Sequence, residues 1–459
     1  MRTPGEDHVT HQQWTPSPSG TAKPWPLLAV LAWTAFPLAA AADDCLQPTA
    51  SVTTGVTLRA QPTTQSTKVG ILRPGESLPL VATVPNWYGT HTASGDNAWV
   101  SKRWVVATAC QAPPSPTPPA PGAPAFTVDV FDVGTGLSVL VRCADFSLLY
   151  DAGSNDDLAT GAGNRVVAYL KAASPPLTSL NHVMLSHPHR DHVELMADVV
   201  RQYAPKDVWD SGSRGNMIAG YCRFLEAVAA GSGIRYHTAT QIAGDEALTL
   251  DATCTAEGTA VPIVLHHGSA IDSSSIALGD GASMQILHAD GTSYTSAQNP
   301  NRNSLVVRFT LGGRHVLFMG DAPGGARAAP TTAPDPDSIE ASLLACCSQE
   351  LFSDAMIVGH HGSETSSRSA FIDAVGASIY AISSGPKKYG TTTLPDDVIV
   401  QALKARGQVF RTDANDDACK TATAKIGPDN DGSPGGCDAI RISIPATGPV
   451  TAAYVHGSD

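Results

Sequence analysis

Residues 184–192 read MLSHPHRDH, with His187, His189, Asp191 and His192 crowded behind the apolar run HVML. Three imidazoles and a carboxylate within six positions are ligands for zinc, manganese or iron. In extended backbone alternate side chains leave on one side, so His187 and His189 project together. Asp191 and His192 then fall in the turn that opens a helix over VELMADVVRQYA. Strand, ligand-rich loop and helix in this order predict a metal centre, not a solvated polar loop.

Two later stretches supply what such a loop lacks. NSLVVRFTLGGRHVLFMGDA, residues 303–322, reads as a hairpin ending in Gly320-Asp321, where a carboxylate could bridge two cations. SDAMIVGHHGSETSS, residues 353–367, reads as another strand, ending in His360-His361-Gly362-Ser363. Helix-like RSAFIDAV follows it, so strands alternate with helices and the segment is read as α/β layers.

The chain around these motifs has 459 residues, which predicts at least two domains. Its net charge of −13 excludes a protein that coats nucleic acid through its overall field, so a polyanionic substrate must be gripped locally. Residues 111–125, QAPPSPTPPAPGAPA, form a stiff polyproline spacer, because proline fixes φ and removes the backbone donor. Before it, residues 44–110 alternate polar and apolar positions in short runs broken by Gly and Pro, a small all-β pattern.

At the start, the apolar run Leu27–Ala42 closes on Ala40-Ala41-Ala42 and Asp43-Asp44, which predicts a secretory signal peptide over residues 1–42 and a secreted or periplasmic mature form without a membrane span. Nine cysteines fit the disulfides of a secreted chain. The expected pairs are Cys45 with Cys110, Cys222 with Cys254 and Cys419 with Cys437, and the odd count leaves at least one thiol over.

TLRAQPTTQSTKVGILRPGESLPLV, followed by NWYGT and AWVSKRWV, resembles a bacterial SH3-like domain. Asn97-Ala98-Trp99-Val100 carries alanine where the resemblance leads one to expect glycine. That likeness implies contact with cell-wall peptides, although most of Trp87, Tyr88, Trp99 and Trp104 are expected in the barrel core.

FDVGTGLSVLV, YDAG, SHPHRDH, NRNSLVVRF, FMGDA and GHHGSETSS, in that order, resemble the metallo-β-lactamase fold in its ComEC-type competence form. The match runs over about Phe126–Gly385, within a hydrolase domain taken as residues 126–457. It implies an αββα sandwich holding two divalent metal ions, zinc or else manganese. The implied ligands are His187, His189, Asp191, His192, Asp321 and His360, with Asp151 orienting the loop. Asp191, Asp321 and His361 are assigned to catalysis, and His361, Lys387 or Lys388 would touch a phosphoryl oxygen.

A second HHGS at His266–Ser269 is set aside because it precedes the Gly-Asp strand, and residues 251–275 read as an insertion. The chain also departs from the family pattern. Glu194 follows Asp191-His192-Val193 where a small glycine is usual, and would crowd an anionic substrate. Tyr389-Gly390-Thr391-Thr392 lacks the histidine usual there, and the third-motif ligand is Asp210, His237 or neither.

The resulting expectation is a secreted binuclear hydrolase acting on phosphodiesters through a metal-bridging hydroxide, held at the cell wall by its SH3-like domain. The alternatives are a hydrolase of a lactam, lactone or thioester, and an inactive cell-wall-binding protein.

Overall fold

The computed structural model describes residues 44–109 and 126–455, apart from 53–54, 75, 93–96, 174–176, 241, 243, 296–298 and 415–438. The expected signal peptide, the proline-rich spacer and the Cys419–Cys437 pair lie outside the described residues. The chain divides into two compact units, Met1–Pro114 and Ser115–Asp459.

In the first unit, short strands build a five-stranded and a three-stranded antiparallel sheet. Its core is aliphatic: Leu46, Val56, Leu58, Leu72, Ala98, Val100 and Val105. This corrects the expectation that aromatic side chains fill the barrel. Along Asn97–Ser101 the small residues Ala98 and Val100 point inward, so the pleat turns Trp99 away. Tyr88 packs against the core edge. Trp104 is exposed, and with Trp87, Arg59 and Arg103 it lines a groove of about 510 Å³. Cys45 is disulfide-bonded, but Cys110, its expected partner, lies outside the described residues.

The second unit is an αββα sandwich. Its first sheet runs, edge to edge, Arg235–His237, Asp207–Trp209, His182–Met184, Ser147–Tyr150, Val139–Arg142, Phe126–Val130, Ile440–Ile444 and Thr451–Tyr454. The second runs Ser275–Gly279, Ala282–His288, Val306–Leu311, Arg314–Phe318, Ala355–Ile357, Ile379–Ile382 and Gln408–Arg411. Strand alternation separates three cores. Val139, Val141, Leu148, Tyr150 and Met184 face Val307, Phe309, Val316, Phe318 and Ile357 between the sheets. The opposite faces, Leu140, Leu149 and Val183 on one sheet and Leu317, Met356 and Tyr380 on the other, are covered by helices. Strands buried on both faces explain their nearly unbroken apolar sequence.

The helix expected after SHPHRDH forms in two pieces, Arg190–Val193 and Met196–Tyr203. RSAFIDAV forms Ser369–Val375. The expected hairpin is Val306–Leu311 with Arg314–Phe318, turning at Gly312 and Gly313, both at positive φ. The Cys222–Cys254 disulfide forms, tying the Ala219–Ala230 helix to the segment after Asp245–Leu250. A further disulfide joins the adjacent Cys346 and Cys347, a pair the spacing argument did not single out. Cys143 is a free thiol.

Candidate metal centre

Parallel pairing sets the carboxyl ends of neighbouring strands at one edge of each sheet. Tyr150 is in register with Met184, and Met184 with Trp209; in the other sheet Phe318 is in register with Ile357 and Ile357 with Ala381. Asp151, the SHPHRDH loop, Asp321 and the tandem histidines therefore emerge together where the two sheets meet.

Asp151 organises the loop. It leaves the strand at positive φ, and its carboxylate accepts from the Ser186 amide (2.6 Å), the Ser186 hydroxyl (2.7 Å) and His192 Nδ1 (2.7 Å). Gly153, two residues on, is required by space, since a Cβ there would sit 2.3 Å from the backbone of Asp191 and His192.

With Nδ1 given to Asp151, His192 turns Nε2 toward Asp321 Oδ1 at 3.2 Å. His361 is set in the same way. Its Nδ1 donates to the Ser383 carbonyl (2.9 Å), leaving Nε2 3.6 Å from Asp191 Oδ2 and 3.7 Å from Asp321 Oδ1. His192 Nε2, Asp321 Oδ1 and His361 Nε2 are all buried, and none has a hydrogen-bond partner. Buried polar atoms are normally satisfied, so three orphans converging on one point mark a place for a cation.

Two groups have ligand atoms within 4.8 Å of one another: Asp191, His192 and His361, and His187, His192 and Asp321. His187 Nε2 lies 3.8 Å from Asp321 Oδ2 and 2.9 Å from His189 Nδ1. His360 Nε2 is also 3.8 Å from Asp321 Oδ2, but it lies 3.3 Å from Asn301 Nδ2, and its Nδ1 is 2.6 Å from the Thr365 hydroxyl. Of the tandem pair, then, His361 completes the buried group and His360 lines the cavity. Both adopt left-handed backbone, φ 51° and 52°, a strained arrangement for two successive residues with side chains.

Charge follows the same geometry. Burial opposes a charge on His192, but the Asp321 and Asp151 carboxylates outweigh it and raise the imidazole well above its ordinary range. Burial would likewise raise Asp321, yet His192, His361 and His360 hold it well below the usual carboxylate range. His187, with burial dominant, is held in the neutral form a metal ligand needs.

Neither third-motif candidate reaches the centre. Asp210 accepts from Tyr221 at 2.5 Å and from Tyr236, beside Arg214. His237 stacks on Trp209 and is spent on Asp207 (2.9 Å) and the Ser269 carbonyl (2.8 Å). Glu194 does not crowd the site, because its carboxylate turns to Arg223 at 2.6 Å. Lys387 and Lys388 are exposed and absent from the cavity lining. His266 pairs with Asp245 on an exposed ladder.

Residues that sequence reasoning missed complete the picture. Tyr389, two residues before the position where the usual histidine is lacking, donates to Asp191 Oδ2 at 2.8 Å. Its place in that motif was the available signal. Asn301 is buried, with Oδ1 unpartnered. Glu340 accepts from the backbone of Ser367 and Arg368, while Arg368 donates to the Ala326, Ala328 and Ala329 carbonyls, so the loops on either side of the tandem histidines are clamped together. The cavity, about 610 Å³, is lined by His189, Arg190, Asp191, Asn301, Asp321, Arg327, His360 and Tyr389 among others.

Residues 54–106 match the bacterial SH3 domain model. Competence protein ComA of Neisseria gonorrhoeae is 26% identical over 288 residues, 62% of this chain; the chain spans 31% of that relative's length. Among solved structures, the metallo-β-lactamase fold protein YhfI of Bacillus subtilis is 15% identical, covering 63% of this chain and 95% of its own, at a TM-score of 0.33. The short form of human tRNase Z is 13% identical, covering 56% and 92%, at a TM-score of 0.32. Residues 54–106 thus match a bacterial SH3 domain, and the chain, whose second unit is an αββα sandwich, is similar to competence protein ComA.

Proposed function

We propose that the second unit is a metal-dependent hydrolase of phosphodiesters. The observation that carries this reading is the convergence of three buried ligand atoms that have no hydrogen bond, His192 Nε2, Asp321 Oδ1 and His361 Nε2, with Nδ1 of each histidine held by Asp151 or the Ser383 carbonyl. That donor set fits divalent cations, and we assign two, zinc first and manganese second. Asp191, His192, His361 and Asp321 would hold one; His187, His189 and Asp321 would hold the other, with His360 at its edge. Bound there, divalent cations activate water near neutral pH and neutralise charge on a phosphoryl oxygen.

The chain's own residues set the geometry. Asp151 and the Ser383 carbonyl fix which nitrogen His192 and His361 present. Tyr389 holds the Asp191 carboxylate from the cavity side, and Asn155 donates to the Tyr389 hydroxyl at 3.0 Å. Asparagine amides and two arginines in the wall suit an anionic ester better than a neutral lactam. The intact donor set argues against an inactive binding protein.

Among the described residues no helix is long and apolar enough to cross a membrane. We infer export through the apolar leader at residues 27–42, and attachment to cell-wall peptides through the Trp87 and Trp104 groove of the SH3 domain. The test is metal analysis of the purified protein with parallel assays on a phosphodiester, single-stranded DNA and a β-lactam. Metal binding with diester turnover supports the reading; turnover of the lactam alone overturns it.

A further inference from the structure

Three acidic side chains around the SHPHRDH helix are already partnered. Glu194 holds Arg223 (2.6 Å), Asp157 holds Arg165 (3.0 Å), and Asp198 accepts from the Gly161 amide (2.6 Å) and from Asn164 (3.0 Å). Inside the cavity, Asp191 and Asp321 face the histidines, and Arg327 is taken by Asp396 (2.5 Å) and Glu364 (3.5 Å). One charge is left over. The Arg190 side chain, flanked by His189 and Asp191, is exposed, lines the cavity, and has no hydrogen bond or ion pair among the described residues.

From this we infer that Arg190 is the anion anchor of the site, gripping the non-bridging oxygens of a phosphodiester through its guanidinium fork. This rests on the phosphodiester reading above and narrows it. A guanidinium presents two parallel N–H donors that match two equivalent oxygens of one phosphate, whereas a neutral carbonyl substrate offers a single acceptor and no charge. Arg190 occupies the variable position between the second histidine and the aspartate of the ligand motif, so its side chain starts beside the ligands without being one. The chain is strongly acidic, with net charge −13, and an unpaired cation at this one wall supplies the local attraction an anionic substrate requires.

The experiment measures charge recognition directly. Zinc-loaded full-length protein is titrated with a dinucleoside phosphorothioate, which keeps the negative charge and resists hydrolysis, and with its neutral methylphosphonate isostere. The parent should prefer the charged ligand. In Arg190→Gln that preference should shrink by about tenfold with metal content unchanged, as expected for loss of a charge-assisted pair, and Arg190→Lys should restore part of it. An unchanged preference in Arg190→Gln, or a parent that binds both ligands equally, overturns the assignment. Should the parent turn over no phosphodiester while the charge preference and its loss remain, the anchor stands and the proposed reaction falls.

Discussion

Asp151 and His192 are joined at 2.7 Å through Oδ2 and Nδ1, both side chains fully buried, and this contact decides which nitrogen the imidazole presents to Asp321. Asp151→Asn keeps the shape but removes the charge that orients the ring. Metal affinity should fall about 10–100-fold. Competition with a chromogenic chelator reads this directly; affinity equal to the parent would show that Asp151 serves the fold alone.

The tandem histidines should separate in their effects. His361→Ala removes a buried, unpartnered nitrogen from the Asp191–His192 group and should lower bound metal, whereas His360→Ala should retain metal while losing activity. His189→Ala should also lose metal. Metal stoichiometry of the purified variants checks the division, and the reverse pattern at His360 and His361 would exchange their roles.

Asp321 faces His192, His187, His360 and His361 within 3.8 Å, so its carboxylate reaches histidines of both groups. Asp321→Asn should reduce diester turnover by about 10²–10⁴-fold while the protein still folds. Asp290 instead accepts from the Thr292 amide and the Tyr294 hydroxyl, both at 2.8 Å, so Asp290→Asn should change turnover only a few-fold. Steady-state rates of the two variants decide; equal loss in both would sink the distinction.

Glu340 gives the protein a pH-dependent stability. Burial pushes its carboxyl up to about 7, outweighing the Ser367 and Arg368 amides that favour the charged form. The folded state thus holds the proton more tightly than the unfolded chain. Stability from this group is complete below the unfolded value of 4.5 and declines as pH rises from there to about 7, by up to roughly 3 kcal/mol. Glu340→Gln should flatten that slope in denaturant titrations between pH 4.5 and 8. A parent and variant with parallel pH profiles would remove the assignment.

Much of the candidate site was legible because the proposed ligands are clustered in sequence. His187, His189, Asp191 and His192 lie in one loop, and Asp321 and the tandem histidines each follow an apolar strand, so an apolar run closing on a candidate ligand located them. The Cys222–Cys254 pair was legible in the same way, as two cysteines bounding one segment. The aromatic residues of the SH3 domain were misread because an aromatic side chain marks a strand without saying which face it takes. In Asn97–Ser101 the pleat gave the interior to Ala98 and Val100.

What the sequence by itself determined is the inventory of candidate ligands and the order of strands that carry it. Only the tertiary structure sets His360 and His361, chemically identical neighbours, in different surroundings: the Ser383 carbonyl, brought in by the adjacent parallel strand, takes Nδ1 of His361 and leaves its Nε2 facing the carboxylates. The same holds for Asp210 and His237, which Tyr221, Tyr236 and Asp207 claim across the fold, and for Tyr389, which reaches Asp191 from 198 residues away. A side chain's type limits what it can bind, but its free lone pair is whatever the long-range hydrogen bonds leave over, and no local pattern records those.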